Sequence, residues 1–511
     1  MSRIAVRPTS VHTGSMISFS SPALGRALVG LLVVTSASCS HSAARRATEP
    51  AAAAAVSSAS GTPSRPAPAT APVVSPNATV KDPQVGPAAV VDPADWPTYH
   101  HGNYRAGVGS GVPPVTSGLT RISNVTLDGA VYASPITARS YKILATENNT
   151  VYRVAGNTVV WSRHLGTPVP GGELPCGNIN PSGITSTPVY DSATSTVVVV
   201  ALLDHPIRHV AYGLEPQTGL LRWSRTVDVP TSVPGISPAA MQQRGALLDH
   251  AGKVYIAYGG LAGDCSSYRG SVVTLDLNHP VTGALGHFTV PTSREGGIWA
   301  SPGPSTSPAG GVLVAVGNGA TAGTGTYDHS DSILRLGGTT MLDSFSPSTW
   351  RDDNQQDLDL GSQGPTAIGK WVFIAGKRGT AYVLDGAHLG GIGGQVSQMS
   401  LCRSFGGTAA SGSVVYVPCA DGLRAVRINS NGTMTVLWHA ASSITGSPVI
   451  GGGRIWSLDT GQGVLYALDP ATGAAKGHWS VGAVTRFTTP ALWRNTIVIG
   501  TRSGVVAFSW S

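Results

Sequence analysis

GVLYALDPATGAAKGHW, residues 463–479, is the stretch on which the fold turns. An apolar run ends in Asp469, a Pro-Ala-Thr-Gly turn follows, and Trp479 stands a few residues beyond the glycine. The chain writes the phrase again as VAYGLEPQTGLLRWS (210–224), with Tyr212, Glu215, Thr218 and Gly219 in the places of Tyr466, Asp469, Thr472 and Gly473. Fainter copies are VVTLDLNHPVTGAL (272–285), AYVLDGAHLGG (381–391) and VYRVAGNTVVW (151–161). A phrase that returns at this spacing is the mark of a repeat architecture. Its chemistry is structural: the acid accepts hydrogen bonds from turn amides, glycine takes the φ > 0 position, and the tryptophan covers the neighbouring repeat.

Around each copy lies the same larger unit. A small residue and proline come first, then a β-branched run, a glycine-bearing turn, a second run, and a strand that often carries tryptophan. Eight such units fill residues 96–511, about 52 residues each, which suits four short strands with their loops. The last, TTPALWRNTIVIGTRSGVVAFSW (488–510), supplies only three strands. GLTRISNVTL (118–127) precedes the first unit and belongs to none. Pairing it into the last unit closes a ring and removes two open sheet edges. The expected fold is therefore all-β: an eight-bladed β-propeller of four-stranded blades, the last closed by an N-terminal strand.

Composition agrees: 65 glycines and 36 prolines against 12% charged residues suit a turn-rich β protein rather than a disordered one. The formal charge of +7 is dispersed, and no basic tract concentrates it, so no nucleic-acid partner is expected. Arg26 precedes the apolar run ALVGLLVV (27–34), which is too short to cross a bilayer and is followed by small residues ending at Cys39. Residues 1–39 therefore read as an export signal, starting at Met1 or Met16. SASC (36–39) resembles a bacterial lipoprotein box, with Ser36 where leucine is usual; it implies a lipid anchor on Cys39 as the chain's one membrane attachment. Residues 40–95, rich in Ala, Pro, Ser and Thr, read as a disordered tether. Cys176, Cys265, Cys402 and Cys419 remain, an even number that favours two disulfides in an exported protein. Three pairings are open; Cys176 with Cys265 and Cys402 with Cys419 is preferred. No CxxCH is present to attach a haem covalently.

The phrase YALDPATGAAKGHW resembles the tryptophan-docking motif of quinoprotein, or PQQ-type, propellers, and DWPTYHHGNYRAG (95–107) is similar to their lead-in segment. CGNINPSGITSTPVYD (176–191), QRGALLDHAGKVYIAYGGLAGDCSSYRG (243–270) and EGGIWASPG (295–303) look most like the polyvinyl-alcohol-dehydrogenase branch. The resemblance spans residues 95–511. It implies a PQQ- and calcium-dependent enzyme that oxidises a small-molecule or polymeric alcohol and passes electrons to an external acceptor. Cofactor-free members of the same repeat class, such as outer-membrane assembly lipoproteins, imply the alternative of a scaffold that binds protein or cell-envelope material.

Carried over residue by residue, the family's G-G-x-W gives Trp299 in GGIW, under the quinone. Its T-G-N gives Asn318 in VGNG as a calcium ligand. The loop FSPSTWRDDNQQDLDLGSQGP offers Asp357 as base and Asp359 as a further metal ligand, with Asp352 and Asp353 as rivals for the base. KRGTAYVLD gives Lys377 beside the quinone carbonyls. GDCSSYRGSV brings Asp264 near the family's calcium-binding glutamate, one residue out of register and one methylene shorter. The family's vicinal cysteine pair is absent, with Cys176 alone in the corresponding region. Arg244 is the candidate for anchoring quinone carboxylates by its chemistry alone. In such a site a carboxylate takes the hydroxyl proton, cations steady developing charge on the carbonyls, and the redox step belongs to the cofactor. Trp299 reads equally as core packing, Asn318 as a turn residue, and Asp357 and Asp359 as solvated surface. His100 and His101 have no assigned partner.

Overall fold

The structure is a computed structural model and describes residues 82, 92–321 and 323–511. The export segment, Cys39 and nearly all of the tether lie outside the described residues. Eight antiparallel sheets follow one another along the chain. Blades 1 to 8 have inner strands at Ile136–Ala138, Val189–Asp191, Leu248–His250, Ser305–Thr306, Thr366–Ile368, Ala409–Ser411, Val449–Gly451 and Ala491–Trp493. The expected closure is found. Thr120–Thr126 pairs antiparallel with Gly504–Ser509, Val125 opposite Val505, and completes blade 8. Blade 3 adds a short strand, Met241–Gln242, and blade 4 gains a parallel one, Gly391–Ile392.

Each neighbouring pair of blades shares its own apolar cluster. Blades 2 and 3 meet through Val198, Trp223, Ile256 and Tyr258, and blades 7 and 8 through Trp456, Leu465, Ile497 and Phe508. Blades 8 and 1 close the ring through Val125, Leu144, Val498 and Val505. The recurring turn joins these interfaces as its residues predict. Asp469 accepts the Ala471 and Thr472 amides at 2.9 and 3.3 Å, and Gly473 sits at φ +72°. Trp438 of the preceding blade lies over that glycine, where a Cβ would come within 2.5 Å of the indole, and its Nε1 donates to Pro470 O at 2.9 Å. Trp161 repeats this on Gly219 and Pro216.

An inner strand is paired on one side only, so a propeller leaves a ring of unpaired amides facing its channel. Residues 96–107 answer them. The Trp96, Pro97, Asn103, Ala106 and Gly107 carbonyls accept the Thr137, Tyr190, Thr306, Ala410 and Ile450 amides, from blades 1, 2, 4, 6 and 7. His100, left unassigned by sequence, belongs to this plug. Its Nδ1 meets Thr408 O at 3.0 Å and its Nε2 meets Thr489 Oγ1 at 3.1 Å. Burial depresses its pKa to about 3, so it is neutral. His101 lies against the Trp96 ring at 5.2 Å. Contacts with the propeller are also made upstream: Asp82 accepts the Val281 amide at 2.6 Å, and Asp95 accepts the Ser140 amide and Asp92 pairs with Arg494, each at 2.8 Å.

The disulfides are Cys176–Cys265 and Cys402–Cys419, the preferred pairing. Two such bonds are consistent with an oxidising, non-cytoplasmic environment. Among the described residues no helix is long and apolar enough to cross a membrane.

Candidate functional site

In four blades the residue four positions before the inner strand stands at one mouth of the channel. Tyr132, Arg244, Phe405 and Phe487 occupy that position in blades 1, 3, 6 and 8, and all four line a cavity of about 570 Å³. Trp299 and Asp359 reach it from slightly longer lead-ins to blades 4 and 5. All seven residues assigned to cofactor, metal or catalysis by sequence line this cavity: Arg244, Asp264, Trp299, Asn318, Asp357, Asp359 and Lys377. The plug closes the channel beneath. Gly406 is squeezed against Ser447 and Phe487, and the next residue, Gly407, against Tyr99 and His100 of the plug.

Trp299 is half-buried, with Lys377 Nζ 5.7 Å from its ring centroid and Phe487 edge-on at 6.3 Å. Gly317 allows this crowding: a Cβ there would fall 2.3 Å from Asp359 Oδ1 and 3.0 Å from Trp299 Nε1. The short helix Trp350–Gln356 ends on Asp357 in the left-handed region at φ +54°, which turns the chain so that Asp357 and Asp359 both meet Lys377. Lys377 Nζ is 2.6 Å from Asp357 Oδ1 and is also paired with Asp359. Asp359 is 2% exposed, and its Oδ1 accepts the Asn318 amide at 2.6 Å. Burial raises the Asp359 pKa while Lys377 pulls it down, and the net direction is upward. For Lys377 burial works against the charge, but the two aspartates outweigh it and hold its pKa above that of a free lysine. The rival carboxylates Asp352 and Asp353 are both taken by Arg378, and neither lines the cavity.

Arginines stacked on aromatic rings also line the cavity. The Arg244 guanidinium lies 4.3 Å over Phe487, and Arg486 lies 4.2 Å over Phe405. Protein encloses Arg244 and lowers its pKa to about 10, yet part of its surface stays open to the cavity and its Nε has no partner among the described residues. Sequence reading missed Phe405, Arg486, Phe487 and Arg502. The available signal was the Arg/Phe pairing written twice before an inner strand, in CRSFGG (402–407) and VTRFTTP (484–490).

The donors were tested against the two implied cofactors. A flat, anionic, tricyclic quinone fits this wall chemistry: an indole face, a lysine and several arginines. Calcium takes six to eight oxygen ligands. Here Asp359 and Asp357 are occupied by Lys377, and Asp264 Oδ1 accepts the Tyr268 hydroxyl at 2.6 Å. Among the described residues, the cluster of three Cys, His or carboxylate ligand atoms is Cys402, Cys419 and Asp421, remote in kind because both sulfurs form a disulfide. This donor set does not fit calcium, and no step below runs through it.

Behind Arg244, Glu147 is buried with Oε2 accepting the Gly183 amide at 2.8 Å and the Thr185 hydroxyl at 3.1 Å. Burial raises its pKa to about 7, against these bonds and Arg244. Unfolded, a glutamate titrates near 4.3. A carboxyl raised by folding contributes stability below the unfolded value, and that contribution is lost as pH rises through about 7. Glu147→Gln should therefore match the parent near pH 4 and exceed it at pH 8 by about 3 kcal/mol. Denaturant midpoints at the two pH values check this, and an unchanged difference would refute it.

No protein-family model and no curated protein sequence matches the chain. Solved structures do. A quinohemoprotein alcohol dehydrogenase from Comamonas testosteroni superposes with TM-score 0.62 at 14% identity, over 81% of this chain and 80% of that one. A quinohemoprotein alcohol dehydrogenase from Pseudomonas putida HK5 gives 0.63 at 14%, over 83% of each chain. BamB from Moraxella catarrhalis gives 0.52 at 16%, over 77% and 98%. The chain shares their propeller fold.

Proposed function

We propose that this protein is an exported dehydrogenase that binds PQQ in the channel-mouth cavity and oxidises an alcohol, passing electrons to an external acceptor. The observation that carries the reading is convergence: Trp299, Asp357, Asp359, Lys377 and Arg244, on separate blades or loops, line one cavity. The disulfides and the apolar leader support export to the periplasm or cell surface, with Cys39 as the anchor.

Bound there, the quinone would supply the two-electron acceptor. Trp299 offers the face on which its plane rests. Arg244 holds carboxylate at the far end. Asp357, 67% exposed at its side chain and kept in place by Lys377, is the residue able to take the hydroxyl proton. Lys377 supplies the fixed positive charge beside the reacting carbonyl, the role expected of calcium. Cys176–Cys265 joins the segments carrying Asn178 and Asp264, and so braces the wall that the family's vicinal cysteines would form.

The test is calorimetric titration of PQQ into the full-length protein, in chelator and again in calcium. Saturable binding of micromolar strength or better is expected in both, weakened about ten- to a hundredfold by Trp299→Ala. Absence of binding by folded protein would overturn the reading and favour the cofactor-free scaffold with a cell-envelope partner. Binding that requires calcium and is lost in Asn318→Ala would instead restore a metal site and remove Lys377 from the cation's role.

A further inference from the structure

The cavity has more positive charge on one side than a single anchoring residue requires. Arg244 lies deep, whereas Arg486 and Arg502 are exposed where they line the cavity, and Arg403, also exposed, is close enough to Arg486 to act on its charge. Glu147 acts on Arg244 from behind, but among the described residues Arg403, Arg486 and Arg502 form no ion pair; the arginine ion pairs are made by Arg139, Arg294, Arg335, Arg378, Arg424 and Arg494. Burial and then Arg403 lower the pKa of Arg486, and Arg486 in turn acts on Arg244, so like charges are held near one another. Such an arrangement is unfavourable without an anion. Arg486 is also held in a fixed plane, 4.2 Å over Phe405 and 5.3 Å from Phe487. A guanidinium whose faces are covered by rings presents its N–H edges outward, the geometry that meets a planar carboxylate with two parallel hydrogen bonds. Phe487 contacts both this arginine, at 5.3 Å, and Trp299, at 6.3 Å, and so links the arginine to the quinone platform.

Resting on the reading above, we propose that the substrate is an alcohol that carries a carboxylate. Its hydroxyl is directed to Asp357 and Lys377, and its carboxylate to the collar of Arg486 and Arg502. Both sets of side chains line the same cavity, so such a molecule can pair its charge with the arginines while its hydroxyl meets Asp357. A neutral alcohol would leave the collar unpaired and bind without that orientation.

Carboxylate could come from the substrate or from the quinone itself, and the experiment separates them. Succinate, which has no hydroxyl to oxidise, is titrated into full-length protein before and after PQQ loading, with succinamide as the neutral control. The proposal expects succinate to bind the loaded protein, succinamide not to bind, and Arg486→Gln to weaken succinate roughly tenfold or more while thermal unfolding is unchanged. Binding to the empty protein that disappears on loading would overturn it, assigning the collar to the quinone's own carboxylates. Succinate binding to neither form would also overturn it while leaving PQQ binding intact. Failure of PQQ to bind removes the dehydrogenase reading separately, and is read from the PQQ titration itself.

Discussion

Arg105→Met should lower the stability of the folded chain by about 3–5 kcal/mol, among the largest losses expected from any single substitution outside the apolar core. Arg105 is 1% exposed and forms no ion pair among the described residues. Its cost of burial, which lowers its pKa to about 9, is met by carbonyls and a hydroxyl. Nε donates to Pro304 O at 3.1 Å, Nη1 to Thr98 Oγ1 and Tyr99 O at 2.9 and 3.2 Å, and Nη2 to Leu247 O at 2.9 Å. One guanidinium thus ties the plug to itself and to the lead-ins of blades 3 and 4. Methionine fills much of the volume but leaves buried acceptors without donors, at about 1–3 kcal/mol for each group that water cannot reach. Arg105→Lys should recover part of the loss, because a single ammonium reaches fewer of these acceptors. Guanidinium unfolding midpoints for the three proteins provide the measurement. A loss below about 1 kcal/mol for the methionine variant would mean that the plug is held by its backbone bonds alone.

Why the plug was invisible in the sequence, while the ring around it was not, follows from where the partners lie. The Asp-x-x-Thr-Gly turn forms bonds within four residues and repeats, so each copy announces the same local geometry. His100 finds its partners 308 and 389 residues away, and nothing in YHHG names them. The site divides in the same way. Trp299, Asp359 and Lys377 lie in phrases that carry a family resemblance, and they do reach one cavity. Arg486 and Phe487 lie in no such phrase. Their distinguishing property is a position, four residues or so before an inner strand, and the residues that share it are as unlike as Tyr132 and Thr445. Position of that kind is readable only once strand starts are fixed. Asn318 too lines the cavity, and its backbone is fixed there by an amide held on Asp359 and a carbonyl that accepts the Gly296 amide.

On the proposed dehydrogenase reading, Lys377→Met should reduce turnover with an artificial electron acceptor by about a hundred- to a thousandfold, with a smaller effect on PQQ affinity. The reason is the burial of Asp359. With 3% of its side chain exposed, it has Lys377 as its cation, and removing that cation leaves a carboxylate that solvent cannot stabilise. Asp359 would then hold its proton to higher pH, since burial already raises its pKa and Lys377 is the largest opposing influence. Asp357 is mostly exposed and loses little stability, but it loses the contact that fixes its direction. A merely structural lysine would make a different prediction, and the double variant Lys377→Met/Asp359→Asn separates the two. Removing both charges should return most of the stability lost by the single variant, because the buried charge goes with its partner. If Lys377 serves only to neutralise Asp359, turnover should return as well. If it supplies the charge beside the reacting carbonyl, the double variant should fold like the parent, bind PQQ and remain slow. Recovery of turnover in the double variant would therefore remove Lys377 from the chemistry and leave it a structural counter-ion.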